Sequence, residues 1–134
     1  MTAIPHTNAD IRAAMDYLID RATHFDTEAL YSIYHDDFHT TLVMPDSQVQ
    51  TYDKQAFIDH FEEQAKQNPT PLNPWADWHD FHILGDSAVC VLSRIHSGMN
   101  GEEMKLLCNI ELRFEDNRWQ ILREQIFLRP LSEG

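Results

Sequence analysis

Ala88 to Ser97 (AVCVLSRIHS), then Glu103 to Phe114 (EMKLLCNIELRF), then Trp119 to Leu128 (WQILREQIFL) form the stretch whose reading decides the fold. The first run leads into Gly98-Met99-Asn100-Gly101. Asn-Gly between apolar-rich runs is the strongest short-range hairpin signal, because both residues tolerate positive φ. The second run alternates cleanly: Leu106, Cys108, Ile110, Leu112 and Phe114 share one face, and Asn109, Glu111 and Arg113 share the other. That is the pattern of a sheet with one face in a core and one largely wet. Glu115-Asp116-Asn117 turns the chain into the third run, where apolar and charged residues mix on both faces. A sheet of this kind needs a cover for its apolar face.

The first half of the chain supplies the cover. Thr7 followed by Asp10 resembles a capping box, and Ile11, Ala14, Met15, Leu18, Ile19, Ala22 and Phe25 recur at helical steps along one face. A second, shorter helix starts at Asp26-Thr27, carries Leu30, Ile33 and Tyr34 inward, and ends near Asp36-Asp37. Phe38 to Met44 and Val49 to Tyr52 read as a small hairpin about Pro45-Asp46-Ser47. Asp53 caps a third helix with Phe57, Ile58, Phe61 and Ala65 on one face, and Tyr52 and Phe57 occupy the two positions of a hydrophobic staple. Pro69, Pro71 and Pro74 hold the next stretch extended, and Trp75 to Leu84 follows as a strand closed by Gly85-Asp86. The order predicts an α+β domain with helices on one face of a curved sheet, the last four strands forming an antiparallel meander.

Composition narrows the class. The length of 134 residues suits one domain spanning 1–134. Ten Lys and Arg against 22 Asp and Glu leave a formal net charge of −12, which repels phosphate backbones and anionic membrane surfaces and argues against nucleic acid as a partner. No apolar run approaches the roughly 20 residues of a membrane helix, and MTAIPHTNAD lacks the regions of a signal peptide, so a cytoplasmic protein is expected. Cys90 and Cys108 lie mid-strand among apolar neighbours and read as buried structural thiols.

Over essentially its whole length the chain resembles the NTF2-like superfamily, in particular its SnoaL-like and ketosteroid-isomerase-like small proteins. The residues that carry the resemblance are Phe25 to Leu30 with Tyr34 to Phe38, Pro45-Asp46-Ser47, Asp53 to Phe57, Gly85 to Ala88, and Arg113-Phe114 leading into Arg118 to Ile121. The resemblance implies a cone, with three N-terminal helices on the concave face of a mainly antiparallel sheet, a pocket between them and often a homodimer. The positions of the ketosteroid-isomerase catalytic residues fall near Leu42, Leu18 and Ile110, all apolar here. Asp46, a possible substitute base, sits in a turn, where Asp usually bonds backbone.

In limonene-epoxide-hydrolase-like members an Arg-x-Asp on a central strand meets an acid on the last strand. Arg94-Ile95-His96 and Glu124 fall at these places, with histidine for the strand carboxylate. Arg94, His96 and Glu124 are therefore the candidate catalytic set, Glu124 orienting or deprotonating His96. Dehydratases of the superfamily use histidines on these strands, which makes His82 a second candidate for proton transfer. The plainer reading is a cross-strand ion pair of Arg94 and Glu124 on a wet face. Strand parity leaves open which face lines the pocket: Arg94 and His96 share theirs with Ala88, Cys90 and Leu92, while Val89, Val91 and Ile95 share the other.

Eight histidines are enough to raise the question of a metal site. His79 and His82, three apart on a strand, point to opposite faces, and a helix end separates His35 from His39, so no metal is expected. His6, His24 and His60 read as surface residues. The aromatic residues Tyr17, Tyr31, Tyr34, Trp75, Trp78, Phe81 and Phe127 exceed what a small core requires. Tyr17, Tyr34, Trp75, Trp78, His82, Ile110 and Leu122 are the candidate ligand-binding residues, for a small apolar or aromatic molecule. Two functions fit. One is a cofactor-independent acid/base enzyme, a dehydratase, isomerase, cyclase or hydrolase, acting on an apolar oxygenated molecule. The other is a noncatalytic homodimer that binds a ligand or a partner chain.

Overall fold

A computed structural model of the chain describes residues 6–68, 70–97 and 103–131. The Gly98 to Gly101 turn therefore lies outside the described residues. Helix α1 (Asn8–Thr23) begins at Thr7, whose side chain accepts from the Asp10 backbone N–H while the Asp10 carboxylate accepts from that of Thr7. Its stripe buries Ile11, Met15, Leu18 and Ile19, each contributing roughly 1.5–3 kcal/mol, which outweighs the ~1 kcal/mol of the cap. Helix α3 (Lys54–Gln67) starts on the Asp53 side chain, which accepts from the Ala56 N–H at 2.8 Å. The staple closes over it, with the Tyr52 and Phe57 rings 6.0 Å apart.

Between these helices the chain departs from its sequence reading. Helix α2 (Thr27–Ile33) ends at Ile33, and strand β1 (Tyr34–Val43) begins at once, so Tyr34 to Asp37 are extended and not helical. The Asp36 and Asp37 carboxylates oppose the negative end of a helix dipole. Pairing with the last strand then decides the matter, Tyr34 lying beside Ile121. His35 is anchored where the strand starts: its Nε2 bonds Glu115 at 2.6 Å and its Nδ1 accepts from the Asp37 N–H.

Strands β2 (Val49–Asp53), β3 (Ala76–Leu84), β4 (Ser87–Ser97), β5 (Glu103–Glu115) and β6 (Arg118–Pro130) complete one six-stranded sheet in the order β2-β1-β6-β5-β4-β3. The β3 to β6 meander is antiparallel, and β1 joins β6 in parallel. The three helices pack on the concave face of this open, curved sheet, and Ile11, Leu30, Ile58, Leu92, Leu112 and Ile121 are among the residues fully buried between the layers.

Two bulges break the period of two. On β3, His79 is skipped between Trp78, paired with Leu92, and Asp80, paired with Val91. On β6, Leu122 is skipped between Ile121, paired with Leu112, and Arg123, paired with Glu111. Such an extra residue re-aims the strand beyond it. Ile121 and then Glu124 and Ile126 are thus buried, three residues and then two apart, while Arg123, Gln125 and Phe127 are exposed.

His6 is not a surface residue. Its ring lies 4.4 Å from Phe114 and 4.7 Å from Trp119, and its Nε2 reaches Asp86, where the sheet and the start of α1 meet.

Candidate functional site

A cavity of about 380 Å³ lies between the helices and the concave sheet face. Its walls are mostly apolar: Met15 and Leu18 from α1, Leu42 from β1, Phe57 and Phe61 from α3, Leu92 from β4, Ile110 from β5, and Ile126 from β6. Leu18, Leu42 and Ile110, the positions aligned with ketosteroid-isomerase catalysis, are thus part of this apolar wall.

Arg94, His96 and Glu124 also line it: Arg94 and His96 follow the buried Ala88, Cys90 and Leu92 of β4, and at the end of that strand Ile95 reaches the cavity as well. They lie at different depths. Register sets Glu124 level with Ile110 and Cys90, Arg94 level with Leu106 and Leu128, and His96 level with Met104. From Cys90 to His96 is six residues, about 20 Å of strand at ~3.3 Å each, so Glu124 is too far away to orient His96 directly. The outer end of the strands, with the half-buried His96 and Met104, is the mouth.

Glu124 is 4% exposed. Burial pushes its carboxyl from the usual 4.5 up to about 7, against the pull of the Arg94 charge. Burial, and then the Glu124 charge, push the Tyr34 hydroxyl well above its ordinary range, and the Tyr34 ring is packed 4.3 Å from Phe38. Thr40, paired with Glu124 across β1 and β6, is fully buried, and its hydroxyl has no hydrogen-bond partner among the described residues. Arg94 donates from Nε to the Trp75 carbonyl at 2.9 Å and from Nη2 to the Asn73 carbonyl at 3.0 Å. Burial lowers its pKa, yet a guanidinium remains charged. The Arg94–Glu124 surface ion pair weighed from the sequence is absent: both residues face the cavity, and neither makes an ion-pair contact among the described residues.

The other sequence candidates scatter. Tyr34 and Ile110 line the cavity. Tyr17 is 54% exposed on the outer side of α1, and Trp75, also exposed, contributes its carbonyl to Arg94. Trp78 faces α1, where the Arg12 guanidinium sits 4.3 Å over its ring and Phe81 stacks on it at 5.6 Å. His82 is exposed, because the bulge at His79 leaves Phe81 inward and His82 outward; His79 itself hydrogen-bonds the buried Ser93 hydroxyl at 2.7 Å. Leu122 is the bulge residue of β6 and does not line this cavity. Sequence reading missed His60 and Gln64, which join Phe57 and Phe61 on the cavity side of α3. Their spacing of three and four along that stripe was the available signal.

Cys90 and Cys108 are free and buried, and burial pushes both thiols up to about 12. Neither is expected to react with dithionitrobenzoate in the native protein, whereas both should react in urea, because the thiolate is the nucleophile. Rapid native labelling of either would show that the wall opens.

Helices laid on the concave face of an open sheet, enclosing an apolar cavity with a few inward polar groups, define a cone-shaped α+β fold. It is the fold of NTF2-like proteins. An NTF2-like protein of unknown function from Silicibacter pomeroyi superposes with a TM-score of 0.72 at 17% identity, over 90% of this chain and 94% of its own. One from Cytophaga hutchinsonii gives 0.72 at 16%, over 92% and 100%. One from Rhodospirillum rubrum, described as of unknown function in nutrient uptake, gives 0.66 at 18%, over 90% and 98%. No protein-family model matches the sequence, and no curated protein matches it. Likeness at such identity fixes the fold and leaves the chemistry to the residues in this cavity.

Proposed function

We propose that this protein is a cofactor-independent acid/base enzyme of the SnoaL-like kind, which takes a small, apolar, oxygenated molecule into the cavity and moves a proton through Glu124. One observation carries the reading: a carboxyl buried in an apolar wall, its pKa raised to about 7, exchanges protons at neutral pH with the least driving-force penalty. In this reading the hydroxyl of Tyr34, which also lines the cavity, holds a substrate oxygen beside it. Arg94 provides electrostatic support, and His96, at the mouth, relays protons to solvent. The class of reaction is hydration, dehydration, isomerisation or cyclisation. The free buried thiols fit a reducing, cytoplasmic compartment.

A noncatalytic homodimeric binding module is the second reading. It is favoured by an apolar row across the outer sheet face, where Phe127 is 44% exposed beside Val43 and Leu107.

Nitrobenzisoxazole, an apolar probe, separates the two. A base removes its ring C–H proton, the C–H electron pair forms the nitrile, and the N–O bond breaks to leave a coloured phenolate. Elimination by the wild type should rise with the ionisation of one group near pH 7 and vanish in Glu124→Gln. Equal rates in both proteins, with the probe bound, would remove Glu124 as a base and leave the binding module.

A further inference from the structure

Arg94 is a cation set in an apolar wall, and among the described residues its hydrogen bonds go to neutral oxygens, the carbonyls of Asn73 and Trp75. Among the described residues no carboxylate lies within ion-pair distance of it. The acid in the same wall, Glu124, is level with Cys90, four residues deeper along β4, about 13 Å of strand. Arg94 is half-buried, and withdrawing a guanidinium from water is costly; two carbonyl dipoles and the more distant Glu124 charge offset that only in part. The two carbonyls also fix its orientation. They use the Nε hydrogen and one from Nη2, leaving both Nη1 hydrogens and one from Nη2 to donate. A planar fork with adjacent free donors is the partner a carboxylate takes at two points.

We propose that Arg94 anchors the carboxylate of the ligand, and that the cavity takes a small, largely apolar monocarboxylate whose body runs inward past Leu92 and Ile110 toward Glu124. The inference rests on the reading of the cavity as a ligand site and names the class of ligand. Size and charge set its limits. A cavity of about 380 Å³ holds roughly a dozen waters at ~30 Å³ each, and so a molecule of about that many non-hydrogen atoms. Arg94 is the one permanently charged cation among the described residues of the wall, which suits a monoanion better than a phosphate dianion. Along the sheet, Arg94 and His96 lie outward of Glu124, which lies at depth. An entering carboxylate therefore stops at Arg94 and presents the rest of the molecule to the acid. The chain as a whole, at −12, repels anions, so a preference for a carboxylate has to arise at a local cation.

Octanoate, octanamide and octanol share a tail and differ in the head. Calorimetry with the wild type should find octanoate bound at least tenfold more tightly than the other two. Arg94→Gln should bring octanoate down to the affinity of the amide, and Arg94→Lys should keep part of the preference. Both substitutions disturb the bonds to Asn73 and Trp75, so the wild-type ranking carries the test if the variants do not fold. Equal affinities in the wild type, or a preference unchanged in Arg94→Gln, overturn the carboxylate assignment and leave the cavity as an apolar ligand site. Failure of all three compounds to bind overturns both.

Discussion

At pH 8 the Glu124→Gln protein is expected to be more stable than the wild type by about 3 kcal/mol, and at pH 4 to differ little from it. Glu124 is buried, and its carboxyl is raised from 4.5 to about 7. Each unit corresponds to about 1.4 kcal/mol between protonation states, which gives the ~3 kcal/mol. A carboxyl whose folded pKa lies above its unfolded value favours the folded state when protonated. That contribution is complete below about 4.5, is lost as pH rises towards 7, and is absent above it. Glutamine copies the protonated shape at every pH, so the difference between the two proteins should open between those limits. Urea unfolding of both proteins across this range measures it, and the subtraction cancels the remaining ionisable groups. A difference that stays flat with pH would mean that Glu124 titrates as an ordinary acid, and the proton-transfer reading would lose its basis. A residue that weakens the fold at working pH is what a stability–activity trade-off looks like.

Deleting Gln125 should abolish cooperative folding, whereas deleting Leu122, which removes only the bulge, should leave a cooperatively folding protein. Without Leu122, β6 keeps a strict period of two, with Ile121 and the run Glu124, Ile126 and Leu128 still on the core face. Without Gln125, the bulge stays and the count fails beyond it, so Ile126 and Leu128 turn away from the core. The same shift turns Phe127, exposed now, and Arg129 towards the apolar layer. Two displaced apolar side chains at roughly 1.5–3 kcal/mol each, together with a buried cation, approach the 5–15 kcal/mol that holds a typical domain together. Near-UV circular dichroism and thermal melts decide it; a Gln125-deletion variant that melts sharply near the wild-type temperature would show that β6 re-registers without loss.

The same bulge marks how far the sequence could be read. The alternation from Leu106 to Phe114 passes through an unbroken strand, and the cap, staple and stripe of α3 are local, so each was legible. The mixed pattern of Trp119 to Leu128 was not, because an inserted residue leaves no mark in composition and only the pairing partners reveal where the count breaks. Tyr34 to Asp37 failed for a related reason: the parallel partner that makes them a strand lies far along the chain. Within the site, the positions that the family resemblance assigned to Arg94, His96 and Glu124 do line the cavity. The aromatic candidates fared worse, since a count of rings carries no direction and Tyr17 and Trp75 point away. The carbonyls that pin Arg94 belong to backbone and had no signature to read.

The parallel pairing of β1 with β6 places the first strand of the sheet against the last strand described, Tyr34 beside Ile121 and Val43 beside Phe127. Local hairpins and helices can form as the chain emerges during synthesis, but this join closes only once β6 has been made. Until then β1 has an open edge, and the apolar stripe of α1 has only part of the sheet to lie on. Such long-range closure is paid in chain entropy before its contacts return anything, which slows folding and exposes the nascent chain to edge-to-edge association. For this protein the vulnerable moment is therefore late, when most of the chain exists and its central strand does not.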